Sequence, residues 1–196
     1  MLNSNTKEPL NEKEQEILLK HAKLLGDFTI GEDNLYHVNA YQTVLLFLDT
    51  GMHPSVLSDK RSKLKLTREK DNLYLEWYRP KKKGGDAFTR IRVSKRLMPF
   101  IEELIAQPKP NYRQYYNAML NKIADEIQKS GESSRGLSKS NLSPIALRHT
   151  FGVNRLRDGL DIEAIRKLMN CSQKTLAFYL KYRDDDLENK LDEIGW

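Results

Sequence analysis

The stretch from Ser143 to Tyr182, SPIALRHTFGVNRLRDGLDIEAIRKLMNCSQKTLAFYLKY, leaves fewer folding choices than any other part of this chain. It reads as three short helices in succession. Ser143 suits an N-cap, Pro144 a first turn where a missing N–H costs nothing, and Gly159 a left-handed exit. Helical spacing gathers Ile145, His149, Val153, Leu156 and Leu160 on one apolar face, so His149 is expected as a packed core histidine. Arg148, Gly152 and Arg155 share another face, either a low-bulk surface whose guanidinium forks accept a phosphate or an ordinary solvated one. Asp161 caps the second helix, whose Ile162, Ile165, Leu168 and Met169 belong to the core. Ser172 caps the third, with Leu176, Tyr179 and Leu180 on its apolar side. Residue physics alone makes Tyr179 a core aromatic with its hydroxyl at the rim.

Leu147-Arg148-His149-Thr150-Phe151, followed by Tyr179 two helices later, resembles the C-terminal half of the tyrosine recombinase (phage integrase) catalytic domain. The likeness spans Asn11 to Trp196, and its most specific piece runs from LRHTF to the tyrosine. It implies an α+β, mostly helical fold with helices packed around a small three-stranded antiparallel sheet. It also implies Tyr179 as nucleophile and Arg148 as a phosphate ligand.

Charge agrees with a polyanionic partner. The 196 residues carry a formal +6, yet Lys60 to Arg96 hold fourteen Lys and Arg against four Asp and Glu, so 14 − 4 gives +10 there and −4 over the rest. The 39% apolar content suits one good-sized domain. A lone cysteine, Cys171, excludes an internal disulfide and fits a reducing cytosol, and no Cys/His cluster suggests a metal. No apolar run is long enough for a membrane span. A cytoplasmic, DNA-associated protein follows as the expectation.

Taken in order, residues 1–10 read as a polar leader and 11–196 as one catalytic-type domain, without a separate helical DNA-clamping domain before it. Asn11 to Glu14 form a capping box for a helix ended near Gly26, and a loop through Gly31 leads to a second helix, Leu35 to Thr50. Ser62–Arg68, Leu73–Arg79 and Ala87–Val93 alternate as three antiparallel strands. Leu97–Ala106 and Tyr112–Ser130 are helical, and Gly131–Asn141 is expected to be a mobile loop that orders on DNA. Residues 184–196 form an acidic-headed amphipathic helix whose stripe of Leu187, Leu191, Ile194 and Trp196 docks on its own domain or on a second copy.

The resemblance also implies a chemistry. The tyrosine attacks a phosphodiester, stores it as a 3′-phosphotyrosine and needs neither metal nor ATP, while arginines, a lysine and histidines supply charge and protons. By position, Lys81 on the basic turn is the first choice for the lysine, with Lys82 and Lys83 as substitutes. Arg79, Lys82, Lys83, Arg90 and Arg155 are the candidate DNA contacts. Three catalytic positions depart from the pattern, and Val56 beside one of them is a fourth departure. His53 and Val56 stand where Gly51-Met52-His53-Pro54-Ser55-Val56-Leu57 should carry an arginine and an acid, Ile145 replaces a histidine, and Asn170 replaces a histidine or tryptophan. Double-stranded DNA is therefore the expected partner, with strand cleavage impaired or lost. The alternative is a helix-turn-helix regulator without catalysis, built on Ile162 to Lys181 with Gln173, Lys174 and Thr175 opening its recognition helix.

Overall fold

Asn11 opens α1 (Glu12–Leu25) with the expected capping box, its side chain accepting from the Glu14 N–H at 2.9 Å while Glu14 accepts from the Asn11 N–H at 3.0 Å. The computed structural model describes residues 7–30, 36–58, 62–79, 87–106 and 113–182. The leader is not wholly peripheral, because Leu10 is buried and its N–H donates to Thr150 Oγ1 at 2.8 Å.

After Gly26 the expected loop contains a hairpin, β1 (Asp27–Ile30) against β2 (Tyr36–Asn39), with Phe28 opposite Val38. The second helix therefore begins late, as α2 (Ala40–Thr50). Asn39 accounts for the difference: its carboxamide accepts from the Gln42 N–H at 3.1 Å and donates to Asp27 at 2.9 Å, while Val38 is already buried from a strand position. An asparagine that caps a following helix closes off helical backbone before it. Gly51 ends α2 in the left-handed region at φ 57, and a Cβ there would lie 2.3 Å from the Phe151 ring, so only glycine permits this approach of α2 to the LRHTF helix. A short α3 (Pro54–Ser58) follows.

β3 (Lys65–Glu69), β4 (Asn72–Arg79) and β5 (Ala87–Arg92) form the expected antiparallel sheet in the order β3-β4-β5. The first strand starts later than its alternation suggests because Lys63 takes φ 46, which breaks extended backbone. Leu73, Leu75 and Trp77 turn inward and are buried. Helix forms only at α4 (Ile101–Ala106), after a run of turns begun by Leu97 and Met98 N–H groups donating to Ser94 O. α5 (Arg113–Lys129) packs against α1, and its Tyr116 meets Phe47 of α2 edge-on at 5.4 Å.

Residues 131–141, expected as a mobile loop, are tied to the body of the protein. Glu14 accepts from Gly136 N–H at 3.2 Å, Asn141 donates to Glu8 O at 3.1 Å, Lys139 pairs with Asp125 at 2.6 Å, and Leu137 is buried. These ties to α1 and α5 form without DNA.

The LRHTF segment is α6 (Pro144–Arg157), capped by Ser143, and α7 (Ile162–Met169) is capped by Asp161. Residues 173–182 are helical and are labelled α8. α6 lies against α2 and α7 against β5. Phe151, Val153, Leu156, Ile165, Met169, Leu176 and Tyr179 make a second core cluster beside the larger one. Leu160, expected on the apolar face of α6, is 37% exposed because it follows the end of the helix. Lys81, Lys82 and Lys83, the side chain of Arg79, and the tail with Leu187, Leu191, Ile194 and Trp196 lie outside the described residues.

Candidate active site

α6 and α8 bring the motif residues together. Tyr179 packs its ring onto Gly152, where a Cβ would stand 2.8 Å from Cζ of the tyrosine, and its hydroxyl oxygen lies 3.0 Å from His149 Nδ1. Tyr179 has no exposed surface. Phe178 closes the cluster, 5.0 Å from the His149 ring and 5.8 Å from Tyr179. Burial therefore raises the Tyr179 phenol above its ordinary value, and the nearby Arg148 charge opposes that only in part.

His149 is the residue that core placement missed. It is half-buried rather than enclosed, and its ring edge makes a polar bond. Burial, reinforced by Arg148, pushes its imidazole down to about 4, so it is neutral at physiological pH. The available signal was the second polar residue of the Arg148-His149 pair, since adjacent helix positions aim about a third of a turn apart. The other expected alignment also changes. Arg148 is 7% exposed, and its Nη1 and Nη2 donate to the carbonyls of Gly51 and Met169, at the C-terminal ends of α2 and α7. Thus the guanidinium fork holds two helix ends instead of facing open solvent.

The positions expected to depart from the motif lie close in sequence to the clamp's Gly51, Arg148 and Met169. His53 follows Gly51 by two residues, and its Nδ1 accepts from the Ser55 N–H at 3.2 Å at the start of α3. Ile145 is half-buried one turn before His149. Asn170 ends α7 in the left-handed region at φ 47, as its place after the helix suggested, and its Nδ2 is shielded from solvent without a hydrogen-bond partner. Val56 is buried in the core.

Basic residues flank the site. A groove of about 1020 Å³ between β5 and the α6–α7 region is lined by Arg90, Arg92, Lys95, Arg96 and Arg155, with Asp49 and Asp71 as its acids. Arg90 and Arg155 are both engaged: Arg90 pairs with Glu69 at 2.6 Å and Glu76 at 3.3 Å, and Arg155 with Asp158 at 3.0 Å. Among the described residues there is no group of three His, Cys, Asp or Glu suited to a metal ion, and no helix long and apolar enough to cross a membrane.

Acid stability offers a test of the His149 environment. The unfolded imidazole takes its proton near ~6.5, and the folded one only near 4. Between those values the unfolded state binds more protons, so this group makes stability fall as pH drops through the window. The expected loss is on the order of 2 kcal/mol from neutral pH to about 4.5. Urea unfolding across that range should show it, and His149→Gln should flatten the curve. An unchanged pH profile in that variant would mean that the imidazole is not held neutral.

No family model matches the sequence, and no curated protein matches it. Solved structures do. The Tn1549 transposon integrase in complex with a circular intermediate DNA superposes with TM-score 0.63 at 17% identity, over 92% of this chain and 62% of that one. The XerH site-specific recombinase bound to difH substrate, in a pre-cleavage complex, gives TM-score 0.60 at 15% identity, over 92% of this chain and 52% of that one. Its post-cleavage complex gives 0.62 at 15%, over 94% and 52%. The chain therefore has the fold of tyrosine recombinase catalytic domains, and spans about half to two thirds of the length of these neighbours. The neighbours lend no support to a plain helix-turn-helix regulator.

Proposed function

We propose that this chain is a DNA-binding, integrase-like module for site-specific recombination in which strand cleavage is impaired or lost. The supporting observation is the 3.0 Å contact between His149 Nδ1 and the Tyr179 hydroxyl, one residue from Arg148, on a fold shared with recombinases solved on DNA.

In the cleavage step, the Tyr179 oxygen attacks phosphorus as its proton passes to His149 Nδ1. The phosphorus–O5′ bond breaks, Lys81 gives the leaving oxygen a proton, and the phosphate remains on the tyrosine through its 3′ side. A neutral imidazole has a lone pair for that proton, but one held down to about 4 is a weak base for a phenol raised by burial, which adds to the impairment. No metal or other cofactor takes part in this scheme. Charge stabilisation is where the site is poor. Arg148 must leave or share its carbonyl partners, His53 replaces a permanent five-donor fork, Ile145 offers no polar atom, and Asn170 offers a single amide donor. Each missing preorganised donor lowers turnover by ~100 to 1,000-fold. The enclosed hydroxyl also needs α8 to shift before a phosphate reaches it. Duplex DNA lies along Arg79, Lys82, Lys83, Arg90 and Arg155, and residues 184–196 join copies of the chain on that DNA, in a DNA-associated protein of the cytoplasm and of phage or mobile-element ancestry.

The decisive experiment is incubation with a nicked suicide duplex followed by denaturing electrophoresis. A trace of covalent adduct that disappears in Tyr179→Phe is the expected result. Adduct surviving that change would move the nucleophile elsewhere, and robust adduct from the unaltered chain would overturn the impairment. Binding itself should weaken linearly with the logarithm of salt concentration, and changing Lys81, Lys82 and Lys83 together to alanine should reduce that slope by up to about 3. Duplex retention indifferent to salt and to the triple change would defeat the electrostatic part of this reading.

A further inference from the structure

The sheet presents an outer face whose aromatic residues neither the cleavage step nor the proposed duplex path uses, although its Arg90 lies on that path. Register and alternation place Tyr74, Glu76 and Tyr78 of β4 beside Arg92, Arg90 and Phe88 of β5, on the face opposite buried Leu73, Leu75 and Trp77. On that outer face Phe88 is 48% exposed and lies 5.3 Å from the Tyr78 ring, its direct cross-strand neighbour. Cations alternate with the rings. The Lys63 ammonium stands 5.8 Å above Tyr78, and the Arg90 guanidinium 3.9 Å above Tyr74.

We infer that this outer face is a stacking platform for unpaired bases of a single-stranded nucleic acid. A cross-strand aromatic pair stabilises a hairpin whatever the ligand. That role does not require Phe88 to keep nearly half its surface in water, nor cations to sit over the neighbouring rings. Exposed rings set among Lys and Arg are what sequence-tolerant single-strand binding uses, since every base has a π-face and every linkage a negative charge. Glu69 and Glu76 offset Arg90 and Lys65 through pairs of 2.6, 3.3 and 3.0 Å, while Lys63 and Arg92 add further positive charge to the face. A protein partner fits less well, because the cores of protein interfaces are depleted in charge. Intact duplex fits less well too, since its base faces are hidden in the stack. Arg90 already covers Tyr74, so Phe88 and Tyr78 are the rings left to receive a base. The inference does not depend on strand cleavage: it requires neither Tyr179 nor a covalent adduct.

The test compares a labelled oligothymidylate of about 15 nucleotides with a duplex of equal length, using the whole chain. Phe88→Ala should weaken single-strand binding roughly 5- to 150-fold per lost stack, with duplex affinity within about twofold; Phe88→Tyr should restore single-strand affinity. As a second reading, Phe88→Trp should gain fluorescence that the oligonucleotide quenches beyond the response of the parent protein. Unchanged single-strand affinity in Phe88→Ala, equal losses for both nucleic acids, or a Phe88→Trp signal unmoved by the oligonucleotide would each overturn the platform. A chain that forms no adduct yet passes these tests would have lost cleavage entirely and would still carry this platform.

Discussion

On a nicked suicide duplex, the double variant His53→Arg, Ile145→His is expected to trap at least ~100-fold more covalent adduct than the parent chain, the scale of one restored preorganised donor. The site already has the arrangement that is hardest to supply. Tyr179 and His149 stand in hydrogen-bond contact at 3.0 Å, and Arg148 is anchored beside the Gly51 turn that leads to His53. On the proposed reading, what it lacks is charge on the phosphate. His53 spends Nδ1 on the Ser55 N–H, and Ile145 lies on the turn of α6 just before His149. Arginine at 53 brings a permanent fork, and histidine at 145 a donor one turn away on the same helix. The gain must vanish when Tyr179→Phe is added. A double variant that folds, binds duplex and traps no more adduct than its parent would sink the idea that these two losses limit cleavage.

Removing Arg148 should destabilise the whole protein. Its guanidinium joins the Gly51 and Met169 carbonyls, one at the end of α2 and one at the end of α7, in a place where the residue is 7% exposed. Arg148→Met keeps much of the buried stem and leaves both acceptors without that donor, at ~1 to 3 kcal/mol for each buried unsatisfied group. The total is therefore about 2 to 6 kcal/mol, or roughly 4 to 24 °C in Tm for a domain of this size. Arg148→Lys should recover only part, because one ammonium lacks the planar fork that spans two carbonyls. Thermal unfolding measures it. An unchanged midpoint in Arg148→Met would show that the clamp contributes nothing to stability and return Arg148 to a purely phosphate-directed role.

Much of the fold was legible because it rests on local rules. The Asn11 capping box, the Ser143 and Asp161 caps, the left-handed Gly51 and the alternation of β4 and β5 each depend on a few neighbouring residues. The misplacements came where two local rules competed. Val38 fits either a helical stripe or a strand, and it was the Asn39 cap that decided; Lys63 alternates correctly but turns left-handed. Residues 131–141 have the composition of a free loop, yet Glu14 reaches in from α1 to the Gly136 N–H and Asn141 folds back on the Gly136 carbonyl.

At the site, helical periodicity by itself determined that Arg148 and His149 share a helix, and motif spacing put Tyr179 two helices on. Which atom of each residue meets which partner belongs to the tertiary structure. His149 sits at the edge of the core, where α8 delivers a hydroxyl to its ring, and Arg148 leaves the surface because α2 and α7 both end beside it with carbonyls to offer. Periodicity fixes a side chain's direction around its own helix, whereas a hydrogen bond needs the other element's position, which only packing supplies.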